Sequence, residues 1–119
     1  MMRLWNWQPG RQGSGYDIFT LLWSTRLRLD CYLIRYRTGA FIGPHRDPVR
    51  PGEKHWRANL ILWPARAGGE LVCERSLLRI GPLNVFRPDL ALHAVSEVTR
   101  GTRIVFSVGW KTGRAHAGP

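Results

Sequence analysis

A His-x-Asp pair, followed by a distant histidine and an arginine, is the part of this sequence best suited to chemistry. The residues are His45 and Asp47, then His93, and Arg103 ten positions further on. Two imidazoles and one carboxylate make a facial triad, which leaves about half of an octahedral metal's coordination sites open and suits Fe(II) chemistry with oxygen. The arginine adds a fixed cation for an acidic ligand. The pattern predicts a metal-dependent reaction without naming a substrate.

The spacing of these residues indicates how the backbone must present them. His45 and Asp47 are two apart on an extended segment, so both side chains point to the same side and can reach one metal. The third ligand, His93, begins a separate apolar strand. Arg103 follows a turn at Arg100-Gly101, and residues facing each other across a hairpin lie side by side. We therefore expect Arg103 on the strand next to that of His93, near the metal without binding it.

Most of the chain has the two-residue alternation and the Gly and Pro punctuation of short strands. The candidate strands are Tyr32 to Arg37, a short segment around His45 to Asp47, Trp56 to Leu62, Glu70 to Glu74, Leu77 to Ile80, Leu83 to Arg87, Leu92 to Val98 and Thr102 to Trp110. About eight strands at this spacing predict an all-β double-stranded β-helix, or jelly roll. The length allows one domain over 1–119, with a core of about 31–111 and irregular ends at 1–15 and 112–119.

One short helix is also predicted, before the first of these strands. Asp17 is a suitable N-cap, and the apolar residues from Ile18 to Trp23 have near-helical spacing with no Gly or Pro before Gly39. The last strand indicates where this helix would pack. Ile104, Phe106, Val108 and Trp110 share one face of that strand, and such a face needs a cover. We expect the helix to cover this sheet, and Arg103 to point into the barrel.

The composition gives weaker indications about partners and location. The formal net charge is +10, and only 2 of the 18 basic residues are lysines. This charge would suit a nucleic acid, but scattered arginines also arise from biased codon usage, so we do not expect nucleic-acid binding. Cys31 and Cys73 favour a reduced, cytoplasmic protein over a disulfide. No apolar run approaches a membrane span and no leader pattern precedes the strands, so we expect no membrane association.

Three stretches of the chain resemble the Fe(II)/2-oxoglutarate-dependent dioxygenases, particularly their prolyl-hydroxylase-like branch. They are YRTGAFIGPHRDPV, RANLILWPARAGGELV and FRPDLALHAVSEVTRGTRIVFSVGW, and together they cover about residues 31–111. The resemblance implies that His45, Asp47 and His93 bind Fe(II), and that Arg103 binds the C5 carboxylate of 2-oxoglutarate. It further implies that O2 is consumed and that succinate and CO2 are formed as a substrate is hydroxylated.

Two further residues are candidates for binding the cosubstrate. Tyr36 stands about where members of that branch carry a tyrosine that contacts the cosubstrate carboxylate, although it could equally be a core aromatic. Asn59 shares a strand face with Arg57, and a polar pair pointing into a small barrel suggests ligand contact. Arg57 could instead lie at the barrel mouth in solvent.

The resemblance also separates branches of the superfamily. Nucleic-acid demethylases usually place a second arginine six residues after the cosubstrate arginine, and here that position is Gly109. That branch is therefore disfavoured. His55 and His116 have no comparable context, and we expect neither to bind the metal.

Two functions of different classes fit these observations. The first is an active 2-oxoglutarate-dependent hydroxylase acting on a protein side chain or a small molecule. The second is a non-catalytic jelly-roll or cupin-like module that binds a metal or ligand. Little chain precedes the predicted jelly roll, which leaves the site open. We therefore expect either a large substrate, such as a protein or peptide, or a homodimer formed through the thinly covered sheet.

Overall fold

The computed structural model describes residues 5–10 and 13–115. Within these residues the chain forms twelve β-strands and no helix. The strands are β1 Trp7–Pro9, β2 Tyr16–Ser24, β3 Leu29–Tyr36, β4 Ile42–His45, β5 Lys54–Trp63, β6 Ala67–Gly68, β7 Leu71–Cys73, β8 Leu78–Ile80, β9 Leu83–Phe86, β10 His93–Val95, β11 Val98–Arg100 and β12 Arg103–Thr112.

These strands form two main sheets and one small ribbon. The large sheet has seven strands in the order β1-β2-β3-β12-β5-β9-β8, and the small sheet has three in the order β4-β10-β7. Strands β11 and β6 pair as the ribbon. The core joins all three, because Val95 of the small sheet and Val98 of the ribbon pack with Ile34 and Val105 of the large sheet. This arrangement is a jelly roll, as the sequence predicts.

The predicted helix from Asp17 is wrong, because these residues form β2. The segment is rich in aromatic and β-branched residues, which favour a strand. Its register against β3 shifts between Thr20 and Leu22, which marks a bulge. The bulge resets the inward and outward alternation, so the apolar residues on either side of it imitate helical spacing. Asp17 caps no helix, and its carboxylate accepts a hydrogen bond from Arg35 on β3 at 3.1 Å.

The last strand has the two faces that its sequence predicts. Arg103, Val105, Ser107 and Gly109 are buried, whereas the alternate residues from Ile104 to Trp110 are half-buried. No helix lies over that half-buried face within residues 5–10 and 13–115. In the same part of the chain, no helix has the length and apolarity to span a membrane.

A partly buried ion pair joins β3 to β5. Arg57 is 7% exposed, and its Nη2 atom donates to both carboxylate oxygens of Asp30, at 2.8 and 3.1 Å. Its Nη1 atom donates to the Ser107 hydroxyl of β12 at 2.7 Å. Arg57 therefore does not lie in solvent at a barrel mouth, which was one of the two alternatives left by the sequence.

Removing the carboxylate of this pair should destabilise the fold. In Asp30→Ala the Arg57 guanidinium stays buried without its counter-charge, at a cost of about 2–3 kcal/mol in the free energy of unfolding. The double variant Asp30→Ala/Arg57→Met should recover most of that loss, because it removes the uncompensated charge as well. Urea unfolding measures both. A single variant as stable as the wild type would contradict the structural role of the pair.

Candidate metal and diacid site

The two candidate histidine ligands lie opposite each other on paired strands. His45 ends β4 and His93 begins β10, and the two residues are direct partners in the antiparallel register. Their ring centroids are 4.3 Å apart. Asp47 follows β4, and its backbone amide donates to the carbonyl of Pro88 at 2.8 Å. The small sheet and this backbone contact therefore position the predicted triad.

The ligand atoms of the three side chains converge on one point. Nε2 of His45 is 3.3 Å from Oδ1 of Asp47, and Nε2 of His93 is 3.9 Å from Oδ2 of the same carboxylate. One ligand atom from each residue lies within 4.8 Å of the others. The structure thus brings together the three residues that the sequence selects.

Backbone carbonyls orient both imidazoles towards this point. Nδ1 of His45 lies 2.8 Å from the carbonyl oxygen of Gly43, and Nδ1 of His93 lies 2.8 Å from that of Ala91. A carbonyl oxygen only accepts, so each Nδ1 carries the proton and each Nε2 presents a lone pair. Burial lowers the pKa of His93, which favours the neutral ring. Neutral imidazoles held in this tautomer are the form that binds a metal.

The donor set fits a divalent transition metal. Two imidazole nitrogens and a carboxylate oxygen suit iron, and a set of three leaves further coordination positions for other ligands. Phe86 packs against His93 with ring centroids 5.0 Å apart, and this phenylalanine is 1% exposed. The histidine therefore has an apolar wall on one side, which limits the access of water to the metal position.

Arg103 reaches this region from the opposite sheet, so the hairpin predicted from the sequence is wrong. The predicted strand Leu92 to Val98 breaks into β10 and β11, and β11 pairs with β6. Strand β12 instead pairs with β3 and β5 in the large sheet. The chain crosses between sheets within these few residues. Arg103 and His93 consequently lie on different sheets rather than side by side on a hairpin.

Arg103 is an almost fully buried cation. It is 2% exposed, and no carboxylate of residues 5–10 or 13–115 forms an ion pair with it. Its neighbour in the β12–β3 register is Tyr36, and the guanidinium carbon lies 4.8 Å from the centre of that ring. Burial lowers the pKa of Arg103 and Tyr36 partly offsets this effect, so the guanidinium remains charged.

Tyr36 is placed to accompany a ligand of Arg103. It is 2% exposed, and burial raises the pKa of its hydroxyl, which therefore stays protonated and can donate a hydrogen bond. The ring also stacks on Tyr16, with centroids 5.9 Å apart. Tyr36 thus belongs to the core and also lines the triad cavity, while its contact with a cosubstrate stays a prediction.

Two cavities border the candidate residues, one at the triad and one at Arg103, and they share part of their lining. The triad cavity has a volume of about 410 Å³ and is lined by His45, Asp47 and His93 among other residues. The arginine cavity has a volume of about 330 Å³ and is lined by Arg103. Asn59 lines both cavities.

The cavity walls contain a polar chain that the sequence only partly indicates. Ser107 donates to Oδ1 of Asn59 at 2.6 Å and accepts from Arg57. A Cβ on Gly109 would lie 2.2 Å from Nη2 of Arg57, so the guanidinium fills the space above that glycine. In the sequence, the alternation of Arg57 and Asn59 on β5 indicated part of this polar chain. Nothing in the sequence indicated that Asp30 is the acidic partner of Arg57.

His55 is not part of the triad. His55 is buried on β5, and its Nε2 atom lies 3.3 Å from Nη2 of Arg57. The group of ligand atoms that converge does not include it. His116 lies outside the residues that the structure describes.

One curated protein is similar to this sequence over most of its length. No family model matches the sequence. A PKHD-type hydroxylase of Gloeothece citriformis (strain PCC 7424) is 36% identical over 88 residues, which cover 64% of this chain and 39% of that protein. The chain thus spans about two fifths of the length of this curated relative.

Two solved structures share the fold. A prolyl-4-hydroxylase of Pseudomonas putida superposes with a TM-score of 0.65 at 21% identity, covering 94% of this chain and 79% of that one. A viral collagen prolyl hydroxylase from Paramecium Bursaria Chlorella virus-1, solved as a 2OG complex, has a TM-score of 0.53 at 19% identity, with 74% and 59% covered. The resemblance of this sequence to prolyl-hydroxylase-like proteins is confirmed.

A glycine beside Arg103 should be sensitive to substitution. Gly69 has a φ of +64°, and a Cβ there would lie 2.7 Å from Cγ2 of Val98 and 3.3 Å from Cδ of Arg103. Gly81 has a φ of +53° with open space around it, so it is a matched control for backbone strain alone. We expect Gly81→Ala to cost about 1–2 kcal/mol and Gly69→Ala about 2–4 kcal/mol. Equal losses in urea unfolding would contradict the close packing.

The burial of His55 predicts a dependence of stability on pH. Burial, followed by the charge of Arg57, lowers the pKa of His55 from 6.5 to about 4. Because the unfolded chain binds this proton more tightly, stability is full above pH 6.5 and falls as the pH drops towards 4. The melting temperature of His55→Gln should therefore fall less than that of the wild type between neutral pH and about pH 4.5. An equal fall in both proteins would exclude His55 as a source.

Proposed function

We propose that this chain is the catalytic jelly roll of an Fe(II)- and 2-oxoglutarate-dependent hydroxylase. The observation that carries the proposal is a buried guanidinium with no carboxylate partner among residues 5–10 and 13–115, together with three converging metal ligands. A metal alone would leave Arg103 without a counter-charge, whereas a diacid that binds the metal through one end supplies the missing carboxylate. The sequence relationship to a PKHD-type hydroxylase supports the same assignment.

Each site residue has a distinct task under this proposal. His45, Asp47 and His93 would hold Fe(II), with both imidazoles oriented by backbone carbonyls. Arg103 binds the C5 carboxylate of 2-oxoglutarate, and Tyr36 donates a second hydrogen bond to it from a hydroxyl that stays protonated. Asn59 lies between the two cavities and contacts the middle of the cosubstrate.

The bound iron and cosubstrate supply the oxidising chemistry: O2 and 2-oxoglutarate give succinate and CO2, and one oxygen atom enters a C–H bond of the substrate. The chain's own share is to position the groups and to exclude water. Phe86 and the buried face of β12 close the interior. Trp23, which is 51% exposed, lines the triad cavity, so that cavity reaches the surface where a substrate could enter.

The substrate we favour is a side chain of a protein or peptide, with a small molecule as the other candidate. The half-buried outer face from Ile104 to Trp110 supports a second element of the proposal, namely a homodimer formed through this sheet. Analytical ultracentrifugation together with turnover assays tests both ideas. A monomer that hydroxylates only small molecules would exclude them.

Metal and cosubstrate binding can be observed without a substrate. Anaerobic addition of Fe(II) and 2-oxoglutarate to the wild type should give the weak visible charge-transfer band of the chelate, and His45→Ala or His93→Ala should abolish it. Arg103→Ala should require about 30- to 150-fold more 2-oxoglutarate, since a buried charged contact contributes about 2–3 kcal/mol. Arg46→Ala is the matched control, because this arginine is exposed and pairs with Glu74. A wild type without the band would overturn the assignment.

A non-catalytic binding module is the second candidate. The triad and Arg103 could bind a metal and an acid in such a module without any turnover. Both candidates predict that removing the metal lowers stability. Only the enzyme forms succinate from 2-oxoglutarate in air, even when this reaction is uncoupled from a substrate. Succinate formation at the level of the His93→Ala variant would favour the binding module.

A further inference from the structure

A row of polar side chains crosses the interior face of the large sheet. Ser107 on β12 pairs in register with Asn59 on β5, and Asn59 pairs with Asn84 on β9. Ser107 and Asn59 are hydrogen-bonded at 2.6 Å. This row lies on the same face as Arg103 and Phe86, where apolar residues would be the ordinary choice for a barrel interior.

Asn84 is the member of this row without a partner. It is 7% exposed, and neither Nδ2 nor Oδ1 has a hydrogen-bond partner among the residues that the structure describes. Oδ1 of Asn59, its neighbour, is already taken by Ser107. A buried amide left unsatisfied is costly, so such a group ordinarily meets a ligand or a bound water.

The surroundings of Asn84 indicate which ligand would satisfy it. Asn84 lines the arginine cavity together with Arg103, the buried cation without a described acidic partner. Arg79, its neighbour on β8, lines the same cavity from the exposed edge of the sheet. A cation and an amide N–H in one small cavity are complementary to a carboxylate, whose two oxygens can each accept hydrogen bonds.

We propose that Asn84 is a second binding residue for the distal carboxylate of the diacid held by Arg103. Its Nδ2 group donates to a carboxylate oxygen, while its Oδ1 atom accepts from one of the N–H groups that also line the cavity. This inference rests on the proposed function, which makes the diacid 2-oxoglutarate. Asn84 then contributes to the preference for a 2-oxo acid that carries a second carboxylate.

Calorimetry under nitrogen, with Fe(II)-loaded protein, tests the contact without any turnover. The two probes are 2-oxoglutarate and 2-oxopentanoate, which has the same five-carbon chain but no distal carboxylate. Asn84→Leu should weaken 2-oxoglutarate binding by about tenfold and leave 2-oxopentanoate binding within about twofold of the wild type. Asn84→Asp, which keeps the shape but places a negative charge beside the carboxylate, should weaken 2-oxoglutarate binding by about 100-fold or more.

The outcomes separate this inference from the proposed function. Asn84→Leu with wild-type affinity for 2-oxoglutarate would overturn the role of Asn84 and leave the cosubstrate assignment intact. An equal loss for both ligands would also overturn it, since a purely structural asparagine affects both alike. If the leucine variant does not fold, Asn84→Ser replaces it, because serine keeps a donor in a smaller side chain. Its affinities for 2-oxoglutarate and 2-oxopentanoate are then compared with those of the wild type. A wild type that fails to bind 2-oxoglutarate overturns the proposed function and this inference with it.

Discussion

The charge of Arg103 is enclosed by the barrel without a described carboxylate to balance it. Isolated buried charges are expensive, and the face of the Tyr36 ring compensates only in part. The surrounding structure nevertheless accommodates this residue closely, because Gly69 lacks a side chain where one would press on the arginine. Under the proposed function, the distal carboxylate of 2-oxoglutarate balances this charge. The same proposal accounts for polar side chains such as Asn59 and Ser107 on an interior face that a small barrel would otherwise fill with apolar residues.

The candidate site also depends on two sheets that are joined mainly by their core. The histidines belong to two of the three short strands of the small sheet, whereas Arg103, Tyr36 and the asparagines belong to the large sheet. A diacid that contacts both ends would cross between the sheets and hold them together. Ligand binding and folding stability are then linked, since a ligand that binds only the native state stabilises it. The short strands of the small sheet make this contribution important.

The sequence selected residues that converge in the structure, but it placed the elements that carry them less well. His45, Asp47 and His93 could be selected because extended backbone places residues two apart on one side, and because few sequences combine these ligands with a following arginine. The helix at Asp17 could not be rejected, since a bulge after Thr20 changes the alternation that a strand would otherwise show. The position of Arg103 could not be predicted either, because the chain breaks its strand within residues 92–98 and continues into the opposite sheet.

Contacts between strands distant in sequence were the hardest to predict. The position six residues after Arg103 is Gly109 and not an arginine. In the structure, however, the guanidinium of Arg57 from β5 occupies the space above this glycine. The register between neighbouring strands determines which side chain fills the space above a given residue. The sequence of a single strand does not show that register. The same holds for Asn84, whose place in the cavity that Arg103 also lines depends on β9 pairing with β5. Motifs therefore identify which residues could act, while the pairing of strands determines which other side chains share the cavity with them.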